Sequence, residues 1–345
     1  MAGACALILS GCGGGGGSPA GGNAAGPAST STSASTSGAG TASLFSAISA
    51  ANSTSAASNA YAAADRIGNL TMTSSRMTLT GVSIQPAGGG ALAAVLGLVK
   101  QAYAAGGPAM LTGATTSVNC NGGGTFTQDA RRKAMNVISD GDSLSINANG
   151  CIQDGAASMD GTITIAISGV SGDILHTDNG TVTLTTTLGS LSFDDGKSAK
   201  LTLVGDMKIV ASATTAGRAY TVSGKSLQEH FEWPDHSLYV RTLASYTGAI
   251  RTDGAGTTTT ASFDLSGVTG KLRSFSYHVE TVQPLFNPAA SGDPASGTLL
   301  VRGNASSVML TALDASRVRV DYSARGDGVI TQTNTVDWTS FLATQ

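Results

Sequence analysis

Charge is scarce in this sequence. Asp, Glu, Lys and Arg together make up 12% of its 345 residues, about half the usual share, and aromatic residues only 5%. A formal net charge of −3 offers no basic footprint for nucleic acid, which a protein grips by displacing counterions with clustered Lys and Arg. The one basic run, Arg131-Arg132-Lys133, reads as a solvated loop. Histidine is equally sparse, with four residues, and no Cys/His grouping has zinc spacing. There is no G-x-S-x-G elbow for a serine nucleophile. The acidic residues fall mostly in turn-type dipeptides, where hydrogen bonding to local backbone is their usual job, rather than as a poised catalytic pair. No cofactor motif is present either. Gly196-Lys197-Ser198 and Gly224-Lys225-Ser226 imitate the end of a phosphate-binding loop. Such a loop needs a glycine five residues before the Gly-Lys, and Leu191 and Ala219 stand there. Both triplets read as turns. An enzyme is therefore not expected.

What is abundant is small: Gly, Ala, Ser and Thr, the texture of an exported, β-rich chain. The first residues, from Ala2 to Ile8, are uncharged and apolar, and Leu9-Ser10-Gly11-Cys12 follows. This tetrapeptide resembles the lipobox of bacterial lipoproteins, an aliphatic residue and two small ones before a cysteine. The resemblance implies cleavage before Cys12 and acylation of its thiol, several chains on one residue giving stable anchoring. No Lys or Arg precedes the apolar stretch, so residues 1–12 read as a truncated-looking signal peptide. Gly13 is not the aspartate that retains lipoproteins at the inner membrane, so the same resemblance implies the outer membrane. From Gly13 to Ser43 every residue except Asn23 is Gly, Ala, Ser, Thr or Pro. Such a segment buries no apolar surface and serves as a tether with a reach of about 30 Å.

Residues 44–110 are Ala/Gly-rich and carry two helix candidates. One is the Ala/Ser stretch 44–66. The other is Ala91–Ala104, with Leu92, Val95, Leu96 and Val99 at helical spacing; it is too short to span a bilayer. From residue 111 to 345 the pattern switches to period two, as in Leu144/Ile146/Ala148, Ile163/Ile165/Ile167, Phe275/Tyr277/Val279 and Val318/Val320/Tyr322. Thr, Ser and Asn fill most intervening positions, so one face is dry and the other wet. Asn149-Gly150, Asp160-Gly161, Asn179-Gly180, Asp195-Gly196, Asp253-Gly254 and Asp327-Gly328 read as hairpin turns. The expectation is an all-β fold: a large antiparallel meander curling into an open barrel or sandwich, with one or two short helices N-terminal to it.

Segments around Val118-Asn119-Cys120, Gly141 to Ile146, Gly150-Cys151, Asp160 to Ile163, and Val318 to Asp321 with Gly326-Asp327-Gly328 and Asp337-Trp338 look like a pattern found in uncharacterised β-rich proteobacterial envelope lipoproteins. That resemblance implies a fold and no activity. With Cys5 lost in the leader and Cys12 acylated, Cys120 and Cys151 read as a disulfide, the alternative being two buried thiols.

Glu229-His230-Phe231-Glu232-Trp233-Pro234-Asp235-His236 is the densest titratable cluster. On a strand His230 and Glu232 share a face, and His236 could return across Pro234 to complete a metal site. The competing reading is a strand end whose turn is anchored by Trp233. Loops starting at Asp129 and Asp321 resemble degraded calcium sites spoiled by Arg131 and Arg325. The leading expectation is a lipid-anchored envelope protein with a non-enzymatic β domain, partnered by the membrane and by an apolar ligand or envelope protein. A carrier of a lipid in the curved sheet, with 91–104 as lid, and an outer-membrane β-barrel are the alternatives.

Overall fold

In the computed structural model the described residues are 45–69, 77–79, 82–84, 115–134, 137–152, 158–173, 179–194, 200–233, 235, 237–269, 272, 274–289 and 292–344. The leader, Cys12, the tether, helix candidate 91–104 and Gly196-Lys197-Ser198 lie outside them. Ser43–Gln345 form one compact unit.

Its body is a single 14-stranded antiparallel meander in strict sequence order: β3 (Thr115–Asn119), β4 (Thr125–Arg131), β5 (Ser143–Cys151), β6 (Ser158–Asp173), β7 (Asn179–Asp194), β8 (Lys200–Thr214), β9 (Gly217–Glu232), β10 (Leu238–Asp253), β11 (Gly256–Val268), β12 (Phe275–Pro288), β13 (Ser296–Gly303), β14 (Ser306–Asp314), β15 (Arg317–Ser323) and β16 (Gln332–Asp337). A separate hairpin pairs β1 (Met77–Leu79) with β2 (Val82–Ile84). Helix α1 (Ser53–Asn69) precedes the sheet and α2 (Trp338–Leu342) ends it. The expected all-β open meander is what forms, with α1 where the Ala/Ser stretch predicted a helix. The C-terminal helix and the β1–β2 hairpin were not anticipated.

Period-two alternation translates directly into burial. Along β6, Ile163, Ile165 and Ile167 are buried while Thr162, Thr164, Ala166 and Ser168 are exposed. Val182 and Leu184, Phe263 and Leu265, and Val318 and Val320 are likewise buried, with half-buried polar residues between them. Bulges interrupt most strand pairs from β5 to β15, for instance between Leu188 and Leu191 and between Ala244 and Thr247, and bulges bend strands and increase local twist. The consequence is a curled sheet with one dry, concave side.

Several glycine motifs serve the bulges rather than hairpins. Gly224-Lys225-Ser226 is mid-strand in β9, not a turn: a Cβ on Gly224 would meet the Tyr246 ring at 2.5 Å. Asp206 accepts from the N–H groups of Lys225 (3.0 Å) and Ser226 (3.1 Å). Asn149-Gly150 and Asp160-Gly161 also lie within strands, where the Gly150 N–H donates to the Asp160 carboxylate at 2.6 Å. Asp253-Gly254 does open a hairpin, with Asp253 opposite Gly256. The basic run departs from its reading too, since Arg132 is buried.

Helix α1 packs on the dry side of the second half of the sheet. Residues 56–64 are buried without exception, and most are alanine. A helix apolar all round belongs in an interior, and alanine has both the strongest helix propensity and the smallest bulk for close approach. It packs on β10, β11, β13, β14, β15 and α2. Tyr61 meets Trp338 and Phe341 of α2 in tilted ring contacts, centroids 4.9 and 6.2 Å apart, and the Trp338 indole N–H donates to the Asp314 carbonyl.

The chain reaches α1 over one end of the strands. The Ser46 N–H donates to the Ser276 carbonyl, and its own carbonyl accepts from Asn304. Ile48 donates to Ser306 Oγ and accepts from the Tyr322 hydroxyl. Gly303 makes the crossing possible, because a Cβ there would sit 2.5 Å from the Ser46 carbonyl oxygen.

Three interior phenols give the core a pH limit. Burial pushes Tyr277 up to about 12. Burial also raises Tyr61, helped by Asp65 and Asp293, and Tyr246, helped by Asp206. A raised folded pKa means the unfolded chain ionises first. The stability held by neutral phenols is thus complete below the unfolded value of about 10 and is lost as pH rises through the folded value. Circular dichroism from pH 7 upward should show unfolding setting in above about pH 10, and Tyr277→Phe should move that onset upward.

Candidate functional site

The titratable segment expected at the end of β9 is divided by the pleat. His230 and Glu232 do share the outward face. His230 sits between Thr202 and Val240, and Glu232 between Lys200 and Leu238. A lysine beside Glu232 opposes a dication electrostatically. His236 lies outside the described residues, and among those described no group of three His, Cys, Asp or Glu side chains is placed to hold a metal ion. Trp233 does not anchor the turn: its ring is 49% exposed. Pinning of the turn comes instead from Asp235, whose carboxylate accepts from the Ser237 N–H and hydroxyl at 2.9 and 2.6 Å.

The calcium-like segments begin within strands. Asp129 lies in β4. Asp321 lies in β15, where it accepts from Arg319 Nε and the Thr333 hydroxyl at 2.8 Å each. Arg325 pairs with Asp327 at 3.1 Å. Cys120 and Cys151, in contrast, meet as predicted, bonded with Cα atoms 5.4 Å apart.

The polar group that pattern reading passed over faces inward. On β9 the inward positions run Leu227, Glu229, Phe231, and on β10 Tyr239, Arg241, Leu243, so two charges occupy apolar-face positions. Glu229 and Arg241 are direct cross-strand partners, 1% and 0% exposed, with Nε 3.9 Å from Oε2. The guanidinium lies 4.8 Å from the centroid of the Tyr239 ring, which meets Phe231 edge-on at 5.6 Å. Tyr239 in turn donates to Asn59 of α1 at 2.7 Å. Alternation alone could have located this pair, because a charge in phase with leucines is either paired inside or misassigned. Its chemistry is that of a lock: the aromatic and amide neighbours tie β9 and β10 to α1, and desolvation makes the pairing obligatory.

On the outer face, Asp264 and His278 form a cross-strand pair at 2.8 Å, partly exposed, beside Phe45. Arg302, opposite His278 on β13, is bound to Glu280 at 2.7 Å. Compared with known proteins, the chain matches no protein-family model, no curated protein and no solved structure.

Proposed function

We propose that this chain is an exported bacterial envelope lipoprotein, acylated at Cys12 and held at the outer membrane, whose β unit is a non-enzymatic binding or structural module. The observation that carries the reading is Leu9-Ser10-Gly11-Cys12 with the Gly/Ala/Ser/Thr/Pro tether behind it. The Cys120–Cys151 bridge supports it, because structural disulfides persist in oxidising compartments. Titratable side chains are spent on architecture: Asp142, Asp206, Asp253, Asp314, Asp327 and Asp337 all accept backbone N–H groups in turns, bulges and a helix cap.

Two observations weigh against the rivals. A carrier needs open apolar space on the dry side of its sheet, and α1 with its buried alanines occupies that side over β10, β11 and β13 to β15. A lipid-facing barrel is apolar outside and polar within, whereas Thr162, Thr164 and Ser168 face out and Ile163, Ile165 and Ile167 face in. Fractionation tests the reading. Expressed in a Gram-negative host behind a complete signal peptide, the protein should sediment with membranes and resist alkaline carbonate extraction, whereas Cys12→Ser, exported behind an ordinary cleavable signal peptide, should be released by that wash. Carbonate-resistant membrane retention of Cys12→Ser would point back to the barrel.

A further inference from the structure

The antiparallel order assigns every connection to one end of the strands or the other. The turns β9–β10, β11–β12, β13–β14 and β15–β16 share one end with the crossing at Ser46, since Ser46 bonds to Ser276 at the start of β12 and to Asn304 between β13 and β14. The described chain therefore begins at that end with Phe45, and the N-terminal residues continue from it. The same end carries most of the large apolar side chains left in water among the described residues. Trp233 is 49% exposed, Leu238 58%, Val268 45%, Val329 54% and Ile330 43%. Leu238 and Val268 flank Val240 on adjoining strands, while Val329 and Ile330 lie in the loop between β15 and β16. Among the described residues the opposite end shows Val137 and Leu313, and Val210 and Val282 are exposed along β8 and β12.

The distribution is not what solubility asks for. Surface apolar residues scattered singly need no account, but their collection at one end marks a contact. The charges at this end are of both signs, including Lys200, Glu232, Asp235, Arg325 and Asp327, so nothing selects a strongly charged partner. A half-exposed Trp among aliphatic residues suits the boundary between headgroups and acyl chains. We infer that this end of the sheet is a lipid-docking rim, inserting Trp233, Leu238, Val329 and Ile330 into the surface of a phospholipid bilayer. The inference rests on the anchor reading for which membrane it meets, not for whether it binds. The route of the chain brings that membrane to this end, because the segment that leads to Cys12 leaves the β unit there.

The protein supplies its own probe. It has two tryptophans; Trp338 is 2% exposed and Trp233 is at the rim, so iodide quenching reports Trp233. The full-length Cys12→Ser chain, which no acyl group can hold to lipid, is titrated with vesicles of phosphatidylethanolamine and phosphatidylglycerol. Quenching should fall about threefold by roughly 1 mM lipid, with a blue shift in emission, as expected for shallow interfacial insertion. Leu238→Ser/Val329→Ser/Ile330→Ser, which keeps the reporter and alters only exposed positions, should need about tenfold more lipid for the same protection. Unchanged quenching across the titration overturns the proposal. So does protection already present without vesicles, which would mean that another part of the chain or a second copy covers the rim. Whether Cys12 is acylated is read separately from the mass of the wild-type protein, so either reading can fail alone.

Discussion

Glu229→Leu is expected to lower the unfolding free energy by about 3–5 kcal/mol, because it removes the carboxylate directly opposite the buried Arg241 guanidinium. Both side chains are within 2% of full burial, so water cannot replace the lost carboxylate. Arg241→Met should cost a similar amount by removing the guanidinium that faces the buried Glu229. The informative variant is the double one: Glu229→Leu/Arg241→Met should return to within about 1 kcal/mol of the parent or exceed it, since well-packed apolar pairs commonly match buried ion pairs. Urea denaturation of the four proteins gives the coupling energy directly. A single-mutant loss below about 1 kcal/mol would mean that the pair is hydrated in solution and that β9, β10 and α1 are not locked together there.

The disulfide carries the second large effect. Cys120 and Cys151 are separated by 31 residues in sequence, and closing a loop of that length restricts the unfolded chain by about 3–4 kcal/mol on the entropy argument. The bridge sits where the first strands of the meander have few neighbours: β3 pairs only with β4 among the described residues. Cys151→Ser should therefore destabilise the protein by about 3–4 kcal/mol, and hydrogen exchange should speed up first in β3–β5. Uniform acceleration across all strands would instead indicate that the sheet opens as one unit.

Most of the sheet was legible because its physics is local. Ile163, Ile165 and Ile167 alternate with small polar residues, and a residue pattern of period two has only one way to keep one face dry. Alanine content made α1 legible as a helix, but not as an interior one. Its burial depends on a sheet assembled from strands as distant in sequence as β14 and β15. The glycine dipeptides misled for a related reason. Asp160-Gly161 and Gly224-Lys225 satisfy positive φ or close approach at bulges, and a bulge asks for the same residues as a turn. Trp233 was misread by assuming that a large ring must anchor its own turn; Asp235 does that with two hydrogen bonds and leaves the ring outside. Glu229 and Arg241 were in plain phase with Leu227 and Leu243. Scanning for charges on the apolar face, rather than for clusters along the chain, would have found them.

The claim on which the account turns is the anchor at Cys12, and intact mass of the mature N-terminal peptide tests it most directly. Protein made in a Gram-negative host behind a complete signal peptide should yield a first peptide beginning at Cys12, heavier than its sequence by a diacylglyceryl group and an amide-linked acyl chain, and Cys12→Ser should abolish that species. A peptide carrying a free Cys12 thiol, or one whose first residue lies elsewhere, would contradict it.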